Sequence, residues 1–316
     1  MVVRVGWLPR SHLRRTLGSP GAHIVWPPAM TDRFETATLG ARLRRIVSER
    51  PRPLLIKDRG AAQPRAAMRR VINSVIDLDR LSSALPGLAA WYRDRSAYME
   101  LPGAERLDWR ASDPQIHDLT PRSPFDPHYF FQDVWAAQRV AELAPKRHVD
   151  VGSRVDLVGF LTAITEVTFV DIRLLEAQVE GLSSVEGSVL EMPFPDRSLE
   201  SVSCLHVAEH IGLGRYGDPL DPNGTVKAME ELQRVVAPGG QLLFAGPVGQ
   251  RQVVFNAHRI QPPSSVIEIF DELELIEFSG TDDSGHFSRH RSPDEFEDAG
   301  YALGLFLFRR PLSADQ

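Results

Sequence analysis

Two textures divide the chain. Between residues 32 and 145 apolar positions recur at helical spacing in patches, whereas from Arg147 onward short runs rich in Val, Ile and Phe alternate with helical stretches. In the first part the periodicity predicts helices over Phe34–Glu49, Ala66–Leu85, Leu88–Met99 and Tyr129–Ala144, the second with Met68, Val71, Ile72, Val75, Ile76 and Leu78 on one apolar face. No run there alternates as a strand does. Prolines and aspartates crowd the stretch from Leu101 to Pro127, which reads as an ordered loop or linker. In the second part strands are predicted over His148–Val151, Val167–Asp171, Ser184–Ser188, Ser201–His206, Gln241–Gly246, Leu273–Phe278 and Ala302–Phe308. Helices are predicted over Arg154–Ile164, Arg173–Val179, Gly224–Val236 and Ser264–Phe270, with a short turn at Ala208–Ile211. The helix from Gly224 carries Met229, Leu232 and Val236 at i, i+3 and i+7, and Pro238-Gly239-Gly240 stops it.

Strand–helix alternation of this kind is the mark of an α/β fold: a doubly wound, mostly parallel sheet, here of seven strands, with an N-terminal helical extension. The expected division is a basic arm or misassigned start at 1–29, a helical cap segment at 30–145, the α/β domain at 146–310 and a tail at 311–316. The arm is set apart because it holds four arginines, no acidic residue, and three prolines in its last ten positions.

Composition narrows the function. With 36 Lys plus Arg against 42 Asp plus Glu, the net charge of −6 supplies no basic face for nucleic acid. One cysteine, Cys204, excludes an intrachain disulfide framework and a Cys-based zinc cluster. No apolar run is long enough to span a membrane and no signal-peptide pattern opens the chain, so a cytoplasmic protein is expected.

A parallel sheet binds ligands at the carboxyl ends of its strands. There the first strand runs into Asp150-Val151-Gly152-Ser153-Arg154, where glycine admits a ligand close to the backbone and a helix N-terminus offers its amides. Nineteen residues after Gly152, Asp171 ends the second strand, at the spacing where a carboxylate accepts both hydroxyls of a ribose. Each residue alone has a bland reading, a turn glycine and a helix cap. Together, in sheet order, they point to a nucleoside-type ligand.

With these residues the chain resembles the class I S-adenosylmethionine-dependent methyltransferases, from about Lys146 to Arg309. The resemblance is carried by HVDVGS at 148–153, TFVDI at 168–172, GSVLEMPFPDRSLESVSCLHVAEHI at 187–211 and ELQRVVAPGGQLLFAGPVG at 231–249. YGDPLDPNG at 216–224 and FNAHR at 255–259 are similar to an uncharacterised methyltransferase-like group within that superfamily. The resemblance implies S-adenosyl-L-methionine as cofactor, no metal, and cofactor contacts from Asp150, Gly152, Ser153, Arg154, Asp171, Ser188 and Val189. By matching position, Gly152 and Ser153 would face the methionine portion, Asp171 the ribose, and Ser188 with Val189 the adenine. Three positions depart from the family pattern. Arg154 and Asp156 stand where glycines are usual, and Ser188 replaces the adenine-side acid. Arg154 would either pair with the cofactor's carboxylate or obstruct it.

Methyl transfer needs alignment of nucleophile, methyl and sulfur with water excluded, and a hydroxyl acceptor also needs a base. His206, His210 and His258 are the candidate bases. Tyr129, Phe130 and Trp135 offer ring faces to a sulfonium, although core burial is the commoner fate of such rings. The segment GLGRYGDPLDPNG at 212–224, with three glycines ahead of two Asp-Pro pairs, reads as a binding loop or lid, or else as a plain surface loop. The expected acceptor is a small molecule or saccharide hydroxyl. Two rival readings stand beside this one: a catalytically inactive methyltransferase-fold protein acting as a cofactor-binding or scaffold module, and, more remotely, a zinc metallopeptidase using the H-x-x-E-H match His206-Val207-Ala208-Glu209-His210. A dehydrogenase or epimerase is a weaker reading still, because no G-x-G-x-x-G or G-x-x-G-x-x-G follows the first strand.

Overall fold

The structure, a computed structural model, describes residues 72–74 and 77–312. The chain divides between Arg50 and Pro51 into two units, and the described residues all lie in the second. The predicted helix Phe34–Glu49, the 1–29 arm and residues 66–71, 75 and 76 of the predicted helix Ala66–Leu85 lie outside the described residues.

An eight-stranded sheet forms the body, in the order β3-β2-β1-β4-β5-β10-β8-β9. Its strands are β1 (Arg147–Val151), β2 (Glu166–Asp171), β3 (Leu182–Glu186), β4 (Leu199–Leu205), β5 (Val236–Val248), β8 (Glu274–Thr281), β9 (Phe287–Ser288) and β10 (Ala302–Arg309). β1 to β5 run parallel, and β10 runs antiparallel between β5 and β8. Two short strands, β6 (Gln252–Val254) and β7 (His258–Ile260), make a separate hairpin. The seven predicted strands are all present. β6, β7 and β9 were not legible, having three, three and two residues, too few to show a period of two.

Helices α1 (Leu78–Met99), α2 (Pro127–Leu143), α3 (Val155–Leu161), α4 (Gly224–Val235) and α5 (Pro263–Ile269) complete the described fold. α1 is continuous through Pro86, where the pattern predicted a break. It packs on the loop behind it: Trp91 and Tyr92 both lie 5.8 Å from the Trp109 ring. The expected helix Arg173–Val179 is absent. Asp171 Oδ1 accepts from the Arg173 amide at 2.8 Å and Ser184 Oγ accepts from the Leu175 amide at 3.0 Å, so side chains rather than a helical ladder satisfy this segment. Its Leu174 and Val179 are exposed while Leu175 packs against the core, so one side chain rather than a helical face anchors the segment.

Two apolar layers sandwich the sheet. On one face Val149, Val202, Leu242, Phe244 and Phe306 pack with Met229 and Leu232 of α4; on the other Phe169, Leu205, Leu243 and Leu305 pack with Trp135, Ala136 and Val140 of α2 and with α3. α2 begins at an Asp126 cap whose carboxylate accepts from the His128 amide at 2.9 Å, with Pro127 in the first turn. It is fastened to β8 by a buried polar cluster. Trp135 Nε1 donates to Glu277 Oε1 at 3.1 Å, Arg139 Nη1 to Glu277 Oε2 at 2.8 Å and Ser279 Oγ to Glu277 Oε1 at 2.8 Å. No helix among the described residues is long and apolar enough to cross a membrane.

Candidate active site

The carboxyl ends of β1, β2 and β4 converge on one cleft. Gly152 turns the chain out of β1 at φ +68°, a left-handed conformation that favours glycine. A Cβ there would sit 3.1 Å from Val207 Cγ1 and 3.7 Å from Asp171 Oδ2, so the turn, the end of β2 and the segment after β4 meet at this point. Beneath the turn runs a buried polar chain. Asp150 Oδ1 accepts from the Ser153 amide at 3.0 Å, Ser203 Oγ donates to Asp150 Oδ2, and His148 bridges Ser201 and Ser203 at 2.7 and 2.8 Å. Ser153 Oγ accepts in turn from the Leu205 amide at 3.2 Å, lashing the turn to β4. Burial pushes Asp150 up to about 6 and His148 down to about 4.

Arg154, with φ −63° and ψ 130°, needs no glycine-like backbone. Its guanidinium lies 3.5 Å from Asp133, donates to Asp156 at 3.1 Å, and stands 5.4 Å from the centre of the Tyr129 ring. Asp171 is mostly buried, its Oδ1 also facing Arg173 Nε at 3.3 Å. Ser188 lies just beyond β3 and accepts from the Leu190 amide at 3.1 Å, while the Val189 side chain belongs to the core. Ile172 and Leu190, the apolar neighbours of Asp171 and Val189, remain exposed.

Beyond β4 the chain enters a dense set of imidazoles and phenols. His206 takes a left-handed φ of +57°, uncommon for a residue with a Cβ and of the kind that gathers at working sites. Its ring centre lies 5.1 Å from Tyr129 and 6.0 Å from His128. Tyr301 stacks on His128 at 4.9 Å and meets His258 at 5.0 Å. His210 Nδ1 donates to the Ala257 carbonyl at 2.6 Å, and its Nε2 lies 3.6 Å from Glu209 Oε1. The three predicted histidines thus share one neighbourhood, but His210 is tied to the β6–β7 hairpin whereas His206 keeps a shielded Nε2 with no partner.

Burial dominates the electrostatics here. It lowers His206 to about 3 and His210 to about 4, and it lowers His128 and His258 as well, so all four imidazoles are neutral at physiological pH. Burial raises Tyr301 to about 12. Glu209, which periodicity gave no reason to single out except through the zinc pattern, is pushed by burial up to about 8, and both its oxygens lack partners. It borders a cavity of about 20 Å³ also lined by Thr225, Gly246, Arg259 and Gln261, roomy enough for about one water. The zinc-peptidase alternative loses its framework: residues 208–210 make a single 3-10 turn, not the helix that would aim two histidines at one metal. Among the described residues no group of three or more His, Cys, Asp or Glu is placed to hold a metal.

The 212–224 loop is ordered by two side chains. Asp218 Oδ2 accepts from the Gly212 amide at 2.6 Å, and Arg259 donates to the Asp221 carbonyl at 2.9 Å and to Thr225 Oγ1 at 3.0 Å. This shapes it to present Tyr216, whose ring lies 5.3 Å from the Arg173 guanidinium and 5.2 Å from that of Arg215, so the loop reaches the edge of the cleft beside Asp171. Of the three aromatic candidates only Tyr129 lines this region. Trp135 is wholly buried, and Phe130 packs on Phe125 and Phe131.

The antiparallel β10 lodged between β5 and β8, on a sheet ordered 3-2-1-4-5, decides the architecture. The fold is that of the class I methyltransferases. A family model described as a Caenorhabditis protein of unknown function, DUF268, matches residues 174–294. No curated protein matches the chain. Among solved structures it is similar to the N-methyltransferase NodS from Bradyrhizobium japonicum in complex with S-adenosylhomocysteine, at 15% identity and TM-score 0.40 over 70% of this chain and 98% of that one. It is similar also to 1,6-didemethyltoxoflavin-N1-methyltransferase from Burkholderia thailandensis, at 12% identity and TM-score 0.38 over 58% of this chain and 84% of that one. A third similar structure is the [4+2]-cyclase SpnF, at 14% identity and TM-score 0.39 over 57% of this chain and 83% of that one.

Proposed function

We propose that this cleft binds S-adenosyl-L-methionine and serves methyl transfer to a hydroxyl of a small molecule or saccharide. The observation that carries the reading is the meeting of the left-handed Gly152 turn with the Asp171 carboxylate, next to a histidine whose Nε2 is bare. When bound, the cofactor supplies an electrophilic methyl on a sulfonium. The protein's part is then alignment, dryness and proton handling. Asp171 would accept the ribose hydroxyls, and Ser188 with the Val189 amide would meet the adenine edge. Asp150 and Ser153, being turned inward, would act by holding the Gly152 turn in shape, and Arg154 would reach the cofactor carboxylate only by leaving Asp133 and Asp156. On the acceptor side, the hydroxyl proton would pass to His206 Nε2. His258 would orient the acceptor through the Tyr301 pair, and His210 would hold the hairpin behind it.

The test is thermal unfolding of the full chain with S-adenosylmethionine or S-adenosylhomocysteine, and with NADH as control. A ligand at 100 times its dissociation constant adds about 2.7 kcal/mol, a shift of several degrees. A shift with both adenosyl ligands and not with NADH is expected; its absence would favour the scaffold reading. Asp171→Ala should weaken that binding roughly thirtyfold or more, by about 2 kcal/mol, the scale of hydrogen bonds to a charged acceptor, as read by titration calorimetry. His206→Ala should leave the dissociation constant nearly unchanged and lower turnover about a hundredfold, with a smaller loss in His258→Ala, as measured on the acceptor that a substrate screen returns.

A further inference from the structure

His206 is hydrogen-bonded to α2 through one ring nitrogen. Its Nδ1 is hydrogen-bonded to Gln132 Oε1, across 74 residues of sequence, and Gln132 is completely buried. An amide can turn either end to a neighbour, but here the other end is already committed: Gln132 Nε2 donates to Asp133 Oδ1 at 3.1 Å. Turning the amide over would set its oxygen against that carboxylate and its NH₂ against the imidazole. The carboxylate therefore fixes the amide, the amide offers only an acceptor to the ring, and the ring must carry its proton on Nδ1. Nε2, buried and without a partner, is left as a lone pair.

From this chain of contacts we infer that Gln132, oriented by Asp133, is a positioning residue that holds His206 in the tautomer whose Nε2 accepts the proton of the methyl acceptor's hydroxyl. The inference rests on the methyl-transfer reading for its chemical purpose and on the geometry alone for the tautomer. The balance is simple: the acceptor's O–H bond breaks, an Nε2–H bond forms, and the ring becomes an imidazolium whose Nδ1–H still faces the amide oxygen. The site suits a ring that must be neutral beforehand. The titratable groups beside His206 are His128 and Tyr129 of α2, His210 of the turn after β4 and His258 of β7. Two cations stand in this neighbourhood: Arg154, over the Tyr129 ring, pairs with Asp133 and Asp156, and Arg215 donates to the Ala257 carbonyl.

Nitrogen NMR of isotope-labelled histidine reads the tautomer directly, without acceptor or cofactor. In the wild-type protein at neutral pH the His206 ring, assigned by its loss in His206→Ala, is expected with the proton on Nδ1. Gln132→Leu removes the acceptor and should return the ring to a mixture or to the Nε2–H form, with turnover falling about tenfold or more while cofactor affinity holds. Gln132→Glu keeps an acceptor at Nδ1, so it should keep the tautomer, move the ring's titration upward and shift the acid limb of the pH–rate profile with it. A wild-type ring protonated on Nε2, or a tautomer unmoved in Gln132→Leu, overturns the inference. Should the buried leucine prevent folding, the wild-type spectrum and the Gln132→Glu pair still decide. Calorimetry of S-adenosylmethionine on the wild-type sample separates the two claims: failure to bind defeats methyl transfer and leaves the tautomer assignment standing.

Discussion

Glu277→Ala is expected to cost about 3–5 kcal/mol in urea-induced unfolding, the range for breaking a buried pair by removing one partner. The carboxylate serves three donors, from Trp135, Arg139 and Ser279, with 4% of its side chain exposed. Its removal would strand the Arg139 charge, whose remaining partner Glu142 is largely exposed. Burial works to raise the pKa of Glu277, but hydrogen bonds from Ser279 and Trp135 and the Arg139 charge outweigh it, and the net shift is downward. A depressed carboxyl contributes stability above its unfolded pKa and loses it as pH falls through the folded one. The gap between wild type and variant should therefore be full at neutral pH and narrow under acid. Glu277→Gln keeps an acceptor for Trp135 and Ser279 and should cost less. Equal stability of wild type and Glu277→Ala at neutral pH would show that α2 is held by its apolar face alone.

The second large effect has the opposite sign. Glu209 is raised to about 8 by burial, so the folded state holds its proton where the unfolded chain, near 4.5, has released it. Wild-type stability should accordingly fall as pH climbs from about 4.5 toward 8. Glu209→Gln keeps the shape and removes the titration, so the variant should gain on wild type by about 3 kcal/mol between pH 4 and pH 7. Chemical denaturation across that range reads it. Parallel stability curves for the two proteins would mean that Glu209 is ionised in the folded state.

How far these residues were legible depends on the distance over which each acts. Gly152 and Asp171 stood out because strand order and a fixed spacing place them, and both are local consequences of β1 and β2. The core strands were legible because Val, Ile and Phe crowd them, and the helix from Gly224 because its apolar face and the Pro-Gly-Gly stop agree. Arg173–Val179 misled because seven residues with some helical propensity do not make a helix without a surface to bury. Gln132 and Glu277 were missed for a different reason: they work across 74 and 142 residues of sequence, and only the docking of α2 on the sheet, against the end of β4 for the first and β8 for the second, brings their partners together. One signal was present. Gln132 shares the stripe of Trp135, Ala136, Arg139 and Val140, at i+3, i+4, i+7 and i+8, and a polar residue on a buried stripe asks for a specific partner.

The position of β10 bears on how the molecule is made. It is the last strand of the sheet to be synthesised, yet it lies in the interior, hydrogen-bonded to β5 on one edge and β8 on the other, with seven of its eight residues buried. Until residues 302–309 emerge, those two neighbours present long unpaired edges backed by apolar surface. The nascent chain is exposed to edge-to-edge association at that stage, after the parallel half of the sheet has been made and before β10 closes the gap.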